Sequence, residues 1–195
     1  MTNKLKYFVG NWKMFGDFGS FKIAQKINKY ANRSKKLNKK RIILCVPNTL
    51  LDFFKRKLKS RKIFLGAQNC HHQEFYGAFT GSVSSSMLKK VGAQYIIIGH
   101  SENRLSGDTD QIIKKKTESA INQNLNVIFC IGETLNEKKS NQTLNVLRKQ
   151  IKNSLNKNLN FKKIIIAYEP VWSIGTGIIP KNENLKKQIS IIKEM

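Results

Sequence analysis

The sequence predicts an α/β fold built on a parallel sheet, and three features carry that expectation. Short apolar runs rich in Ile and Val alternate along the 195 residues with longer segments of helical periodicity. Several of these runs are apolar throughout, the pattern of strands covered on both faces. Three of them end in polar chemistry: Val9-Gly10-Asn11-Trp12-Lys13, Ile98-Gly99-His100-Ser101-Glu102 and Ala167-Tyr168-Glu169-Pro170. A parallel α/β sheet opens all its strand C-termini on one face, so a Lys, a His and a Glu far apart in sequence can meet there.

The elements follow in order. Lys6 to Met14 contains the first strand, with Asn11 and Lys13 two apart at its C-terminal end and hence on one side. Phe18 to Ser34 carries Phe21, Ile23, Ala24, Ile27 and Ala31 near helical spacing, with Lys on the other face. Arg41 to Val46 is the second strand, stopped by Pro47, and a helix runs from Thr49 to Leu58. The third strand is Lys62 to Ala67. Gln68 to Ser86 is a long irregular segment, the kind that is usually functional inside a domain. A short helix covers Ser86 to Val91, the fourth strand ends at His100, and Asp108 or Thr109 caps a helix reaching Asn122. Asn126 to Ile131 is the fifth strand, followed by a helix through Leu155; the sixth strand ends at Glu169, and Asn182 to Met195 begins another helix. No linker, repeat or compositional break interrupts the alternation, so residues 1–195 are expected to form a single domain.

Composition restricts the function classes. The chain carries 36 basic and 12 acidic side chains, a formal charge of +24. Such a field recruits polyanions, and a basic anion- or nucleic-acid-binding protein is one reading. Against it, the Lys residues are spread through helices and loops, and no basic block is interleaved with the aromatics that stacking recognition requires. Cys45, Cys70 and Cys130 are odd in number and widely spaced, which points to a reduced, cytoplasmic chain. Cys70-His71-His72 lacks a second pair at ligand spacing, so no metal is expected. No apolar run reaches the roughly 18 residues that span a bilayer, and Met1 to Lys6 does not lead into a signal-peptide core; no membrane partner is expected.

Glu169 is the leading candidate base. It stands where an apolar strand gives way to a glycine-rich loop, and a carboxylate half desolvated by neighbours such as Trp172 is a better proton acceptor than one in water. Taken singly, Glu169 reads as an ion-paired surface group, Lys13 as a solvated cation, His100 as a hydrogen-bonded core histidine and Asn11 as a turn former. Their joint occurrence at three strand ends favours a site. Ser101 beside His100 is no hydrolase nucleophile, because no G-x-S-x-G elbow is present.

Six motifs in one order carry a resemblance over the whole length. They are Gly10-Asn11-Trp12-Lys13-Met14, Gly66-Ala67-Gln68-Asn69, Gly77-Ala78-Phe79-Thr80-Gly81, Ile98-Gly99-His100-Ser101-Glu102, Cys130-Ile131-Gly132-Glu133-Thr134 and Tyr168-Glu169-Pro170-Val171-Trp172. On these the chain resembles the triosephosphate isomerase family. The resemblance implies a (β/α)8 TIM barrel, incomplete here, because only six strands are present and the last two βα units, with the family's serine and paired phosphate-binding glycines, have no counterpart. It implies interconversion of dihydroxyacetone phosphate and D-glyceraldehyde 3-phosphate through an enediolate, in glycolysis and gluconeogenesis, with no cofactor.

The same resemblance implies the roles. Glu169 moves the proton, His100 polarises the carbonyl as a neutral imidazole, Lys13 stabilises negative charge, and Asn11 orients Lys13 and contacts substrate. Ser101 and Glu102 support them. Pro170 to Gly177 resembles the family's mobile lid, in which Gly175 brings a backbone N–H to the phosphate; its far end, Ile178-Ile179-Pro180, departs from the family's usual type. Gln68 to Ser86 resembles the loop that enters a partner subunit, with Thr80 supporting the partner's Asn11, which implies a homodimer. Ser82 and Asn103 replace a Glu and an Arg common in the family. An inactive barrel fragment serving as a binding or assembly module is the alternative that the missing strands raise.

Overall fold

Six apolar runs form six strands that pair in sequence order, all parallel, in the computed structural model, which describes residues 5–34 and 39–195. The first four residues of the N-terminal stretch lie outside the described residues. The strands are β1 (Lys6–Asn11), β2 (Lys40–Cys45), β3 (Ile63–Ala67), β4 (Tyr95–Ile98), β5 (Asn126–Ile131) and β6 (Ile164–Tyr168). Between and after them run α1 (Phe21–Arg33), α2 (Asn48–Lys57), α3 (Ser85–Lys90), α4 (Ser101–Leu105), α5 (Asp110–Asn122), α6 (Leu135–Lys139), α7 (Thr143–Ser154) and α8 (Asn182–Glu194). Register aligns Asn11 with Cys45 and Ile131 with Tyr168, so the strand tips share one rim.

Alternation across each strand builds two apolar layers. Ile43, Cys45, Tyr95, Ile97, Ile128 and Cys130 point to the concave side. Leu44, Ile96, Ile98, Val127, Phe129 and Ile131 point outward into the layer shared with the helices, where Leu51, Phe54, Ile113 and Leu147 are fully buried. Each such side chain contributes about 1.5–3 kcal/mol by leaving water. Among the described residues β1 pairs only with β2 and β6 only with β5. The sheet is therefore a curled part of a barrel, six strands of the (β/α)8 TIM barrel, with two open edges.

Several boundaries differ from the sequence reading, each for a local reason. β4 stops at Ile98, because Gly99 takes φ 75° and turns the chain. His100 then caps α4, a helix too short to show periodicity. Thr109, not Asp108, caps α5, its hydroxyl accepting from the Ile112 N–H at 3.3 Å. The segment read as one helix through Leu155 is two, α6 and α7, separated by Asn141 at φ 57°. Phe161–Lys163 forms a 3-10 turn, so β6 starts only at Ile164 and ends at Tyr168, one residue before Glu169.

Candidate active site

Asn11 closes β1, and the chain then turns sharply enough to put Lys13 at φ 51°, a left-handed conformation costly for a residue with a long side chain. That strain is held from two sides. The Lys13 N–H donates to Asn11 Oδ1 at 2.9 Å, and the Gln68 amide donates to the Lys13 carbonyl at 2.8 Å. The same Gln68 nitrogen lies 3.3 Å from Asn11 Oδ1 and 3.0 Å from the Cys45 carbonyl, locking three strand ends together. Gln68 belongs to a motif quoted above, but nothing in its sequence context reveals this work, because its partners are 23 to 57 residues away.

Lys13 Nζ reaches Glu102 Oε1 at 2.8 Å, and this hydrogen bond, despite partial desolvation, holds the Glu102 carboxyl below its usual range. His100 is 6 % exposed. Its Nδ1 accepts from the Glu102 N–H at 3.3 Å, which leaves Nε2 as the ring's donor nitrogen. Nε2 lies 3.5 Å from Glu169 Oε2. The structure therefore brings Asn11, Lys13, His100, Glu102 and Glu169 to one rim position. Ser101 opens α4, and no hydrogen bond of its side chain to the described residues supports His100.

Glu169 is set by backbone. Its N–H donates to the Ile131 carbonyl at 2.9 Å, and the Val171 N–H donates to the Glu133 carbonyl at 3.0 Å, which prolong the β5–β6 pairing past the strands. Gly132 lies where the two chains touch: a Cβ there would collide with the Glu169 carbonyl. The Gln150 side chain, reaching in from α7, accepts from the Gly132 N–H and donates to its carbonyl, both at 3.0 Å. The Trp172 indole N–H donates to Glu133 Oε1 at 2.8 Å, and Lys138 Nζ lies over its ring. Tyr168 donates to the same carboxylate at 3.1 Å, and its phenol is raised by burial and by the Glu133 charge. Glu169 retains a side chain 44 % exposed, open to a ligand.

Pro170 to Gly177 leaves the rim from a buried Pro170 through a half-buried 3-10 turn, Val171–Ser173, and becomes exposed from Gly175 on. Gly175 and Gly177 take φ 68° and 72° with open space where a Cβ would stand. Gly175 thus lies apart from the side-chain cluster. Thr80 is exposed on the Gln68 to Ser84 loop, beside exposed Phe75, Tyr76 and Phe79. A cleft of about 290 Å³ runs from Asn11 and Lys13 to Gln68, His100, Glu102 and Asn103. The thiols of Cys45, Cys70 and Cys130 are buried, and desolvation pushes each up to about 12, so they are inert at neutral pH.

The sequence model of triosephosphate isomerase matches residues 6–195. The chain belongs to the triosephosphate isomerase family. A triosephosphate isomerase of Alkaliphilus metalliredigens is 40 % identical over 190 residues, covering 96 % of this chain and 75 % of the relative. One from Bartonella henselae is 43 % identical over 180 residues, 91 % of this chain and 70 % of the relative. The crystal structure of the triosephosphate isomerase from Bartonella henselae superposes with a TM-score of 0.84 at 37 % identity, over 96 % of this chain and 73 % of that one. Triosephosphate isomerases are aldose–ketose isomerases of glycolysis that interconvert dihydroxyacetone phosphate and D-glyceraldehyde 3-phosphate, and this chain spans about three quarters of the relatives it matches.

Proposed function

We propose that Glu169 is the base of the isomerisation, with His100 as the electrophile and Lys13 as the fixed positive charge. The observation that carries this reading is the position of His100 Nε2, 3.5 Å from Glu169 Oε2, on a ring whose Nδ1 is already an acceptor. Glu169 takes a proton from the carbon beside the substrate carbonyl, and the electron pair moves onto the carbonyl oxygen to form an enediolate. His100 donates a hydrogen bond to that oxygen as a neutral imidazole, a device for which this family is itself the reference case. Lys13, oriented by Asn11 and Gln68, faces the developing negative charge and the phosphate. The hydroxyl proton on the deprotonated carbon's oxygen passes to the former carbonyl oxygen, relayed by His100, and Glu169, now protonated, returns its proton to the former carbonyl carbon as the new carbonyl forms on its neighbour.

The lid supplies Gly175, whose backbone N–H reaches the phosphate when Pro170 to Gly177 folds over the rim; the family is again the reference case for such closure. Glu102 keeps Lys13 and the His100 ring in register, and Ser101 starts the helix that His100 caps. Residues 1–195 act as one barrel domain with no cofactor. The partners are a small phosphorylated triose and a second copy of the chain, with Thr80 supporting the partner's Asn11, and neither nucleic acid nor membrane takes part. The exposed aromatics beside Thr80 and the cleft between Lys13 and Asn103 support the homodimer. Three buried, unpaired cysteines fit a reducing cytoplasm.

Isomerisation of D-glyceraldehyde 3-phosphate tests the reading. Glu169→Gln lowers kcat by about 10²–10⁴-fold, the usual share of a general base, with circular dichroism unchanged. Equal rates in the two proteins would sink the assignment.

A further inference from the structure

Half of the net charge sits in less than a fifth of the chain. Residues 28–62 hold thirteen basic side chains and one acidic one, Asp52, a net +12 of the chain's +24. Folding draws them together. α1 and α2 end, and β2 and β3 begin, at the end of the barrel opposite the rim. Ile42 of β2 pairs with Ile63 of β3, which sets Lys40 and Arg41 beside Arg61 and Lys62. The Lys62 ammonium donates to the Ala31 and Ser34 carbonyls at 2.8 and 3.2 Å, which brings the exit of α1 onto the same corner. Arg33, Lys39, Lys55, Lys57, Lys59 and Arg61 are exposed there.

Among the described residues, Arg56 alone of this set pairs with a carboxylate, that of Asp52 one helical turn away. Helix C-termini favour nearby cations, which accounts for Arg33 and for Lys55 to Lys57. It does not account for Lys39, Lys40, Arg41, Lys59 and Arg61 at the entries to the strands. Uncompensated like charges repel one another, and a polyanion laid across them removes that cost.

The kind of polyanion follows from charge density. A nucleic-acid duplex carries one charge per about 1.7 Å of axis, so twelve charges take up roughly 20 Å of it. That fits one corner of a domain about 40 Å across. An acidic peptide, extended at about 3.3 Å per residue, needs twice that length even with a carboxylate at every position. The rings that these cations touch are already covered, Phe64 by the Arg41 guanidinium at 5.5 Å and Phe8 by the Lys40 ammonium at 5.9 Å, so they offer unpaired bases no stacking platform. We propose that this corner binds the phosphate backbone of a nucleic-acid duplex without regard to sequence. The binding is separate from the isomerisation, in which nucleic acid takes no part: the corner lies at the opposite end of the strands from Lys13, His100 and Glu169.

The test follows the anisotropy of a fluorescein-labelled duplex DNA of about 20 base pairs as the whole 195-residue chain is added. Binding is expected at low salt, with an affinity that falls about 10³-fold or more between 50 and 200 mM, as six or more phosphate contacts require, and that is the same for unrelated duplex sequences. Lys57→Gln, Lys59→Gln and Arg61→Gln together weaken it at least tenfold and reduce the salt slope by about 3. Lys149→Gln, Lys152→Gln and Lys157→Gln together remove the same charge from α7 and its exit, and change binding by less than about threefold; circular dichroism is unchanged in both triple variants. Equal weakening by the two triples would overturn the inference, because net charge rather than this corner would then set the affinity. Absence of binding would overturn it too, as would tighter capture by anionic lipid vesicles or by polyglutamate than by the duplex.

Discussion

Two residues, Gly132 and Gln150, set the path by which Glu169 leaves the sheet. Gly132 is the one residue that lets the Glu169 carbonyl pass, and Gln150 braces the Gly132 peptide from both sides at 3.0 Å. Adding a methyl at 132 must push β6 away from β5 at the point where Glu169 leaves the sheet. A displacement near 1 Å costs about 100-fold in rate, so Gly132→Ala is expected to lower kcat by about that factor in the isomerase assay, with KM less affected. A variant with the parent's kcat would show that the close approach does not set the base. Glu102 supplies a second prediction. Its folded-state carboxyl is depressed by the hydrogen bond from Lys13, so the stability it contributes is present above its ordinary value of 4.5 and is lost as pH falls below that. The Tm difference between the parent and Glu102→Gln should therefore shrink as pH is lowered through this range. A constant difference from pH 7 to 3 would remove the Lys13 pair as its cause.

At the scale of elements, the interior strands were legible because burial on both faces leaves a bare apolar run: Asn126–Ile131 stands as the sequence reads it. The rim was legible only in its charged tips. α4 has five residues and no repeat to detect, and Gln68, Gln150 and Glu133 act through partners that the chain brings near only on folding. The same holds for Lys116. Periodicity places it on the buried side of α5, where a lysine is out of place unless paired, and the partners come from two loops. Its Nζ meets both Asp108 oxygens at 2.7 and 2.8 Å and Asn69 Oδ1 at 3.0 Å. Asn69 adjoins Gln68, so this cluster ties α5 to the base of the loop that carries Thr80. Removing one member leaves the other charge buried: Lys116→Met is expected to cost about 3–5 kcal/mol in urea denaturation. Combining it with Asp108→Asn should recover part of that loss. Strictly additive losses in the double variant would show that the two side chains do not act as a pair.

Over the whole molecule, the charge of +24 bears on encounter rather than on fold. The last turns of α2, α3 and α6 each carry two Lys, joined by Arg56 in α2, where cations suit the helix C-terminus. At the rim itself there is no net positive charge, since Lys13 is matched by Glu102 and a neutral His100 leaves Glu169 unbalanced. The field felt by an approaching dianionic triose phosphate is thus the sum of distant charges, and distant charges are the ones salt removes. The Debye length falls from about 30 Å at 0.01 M to about 8 Å at 0.15 M, so the reach of such charges shrinks across that interval. Raising ionic strength across that interval should lower kcat/KM several-fold through slower capture while kcat stays constant, because Lys13, His100 and Glu169 act at contact distance. Were kcat to fall in parallel, salt would be acting on the rim cluster; were neither to change, the basic surface would play no part in capturing substrate.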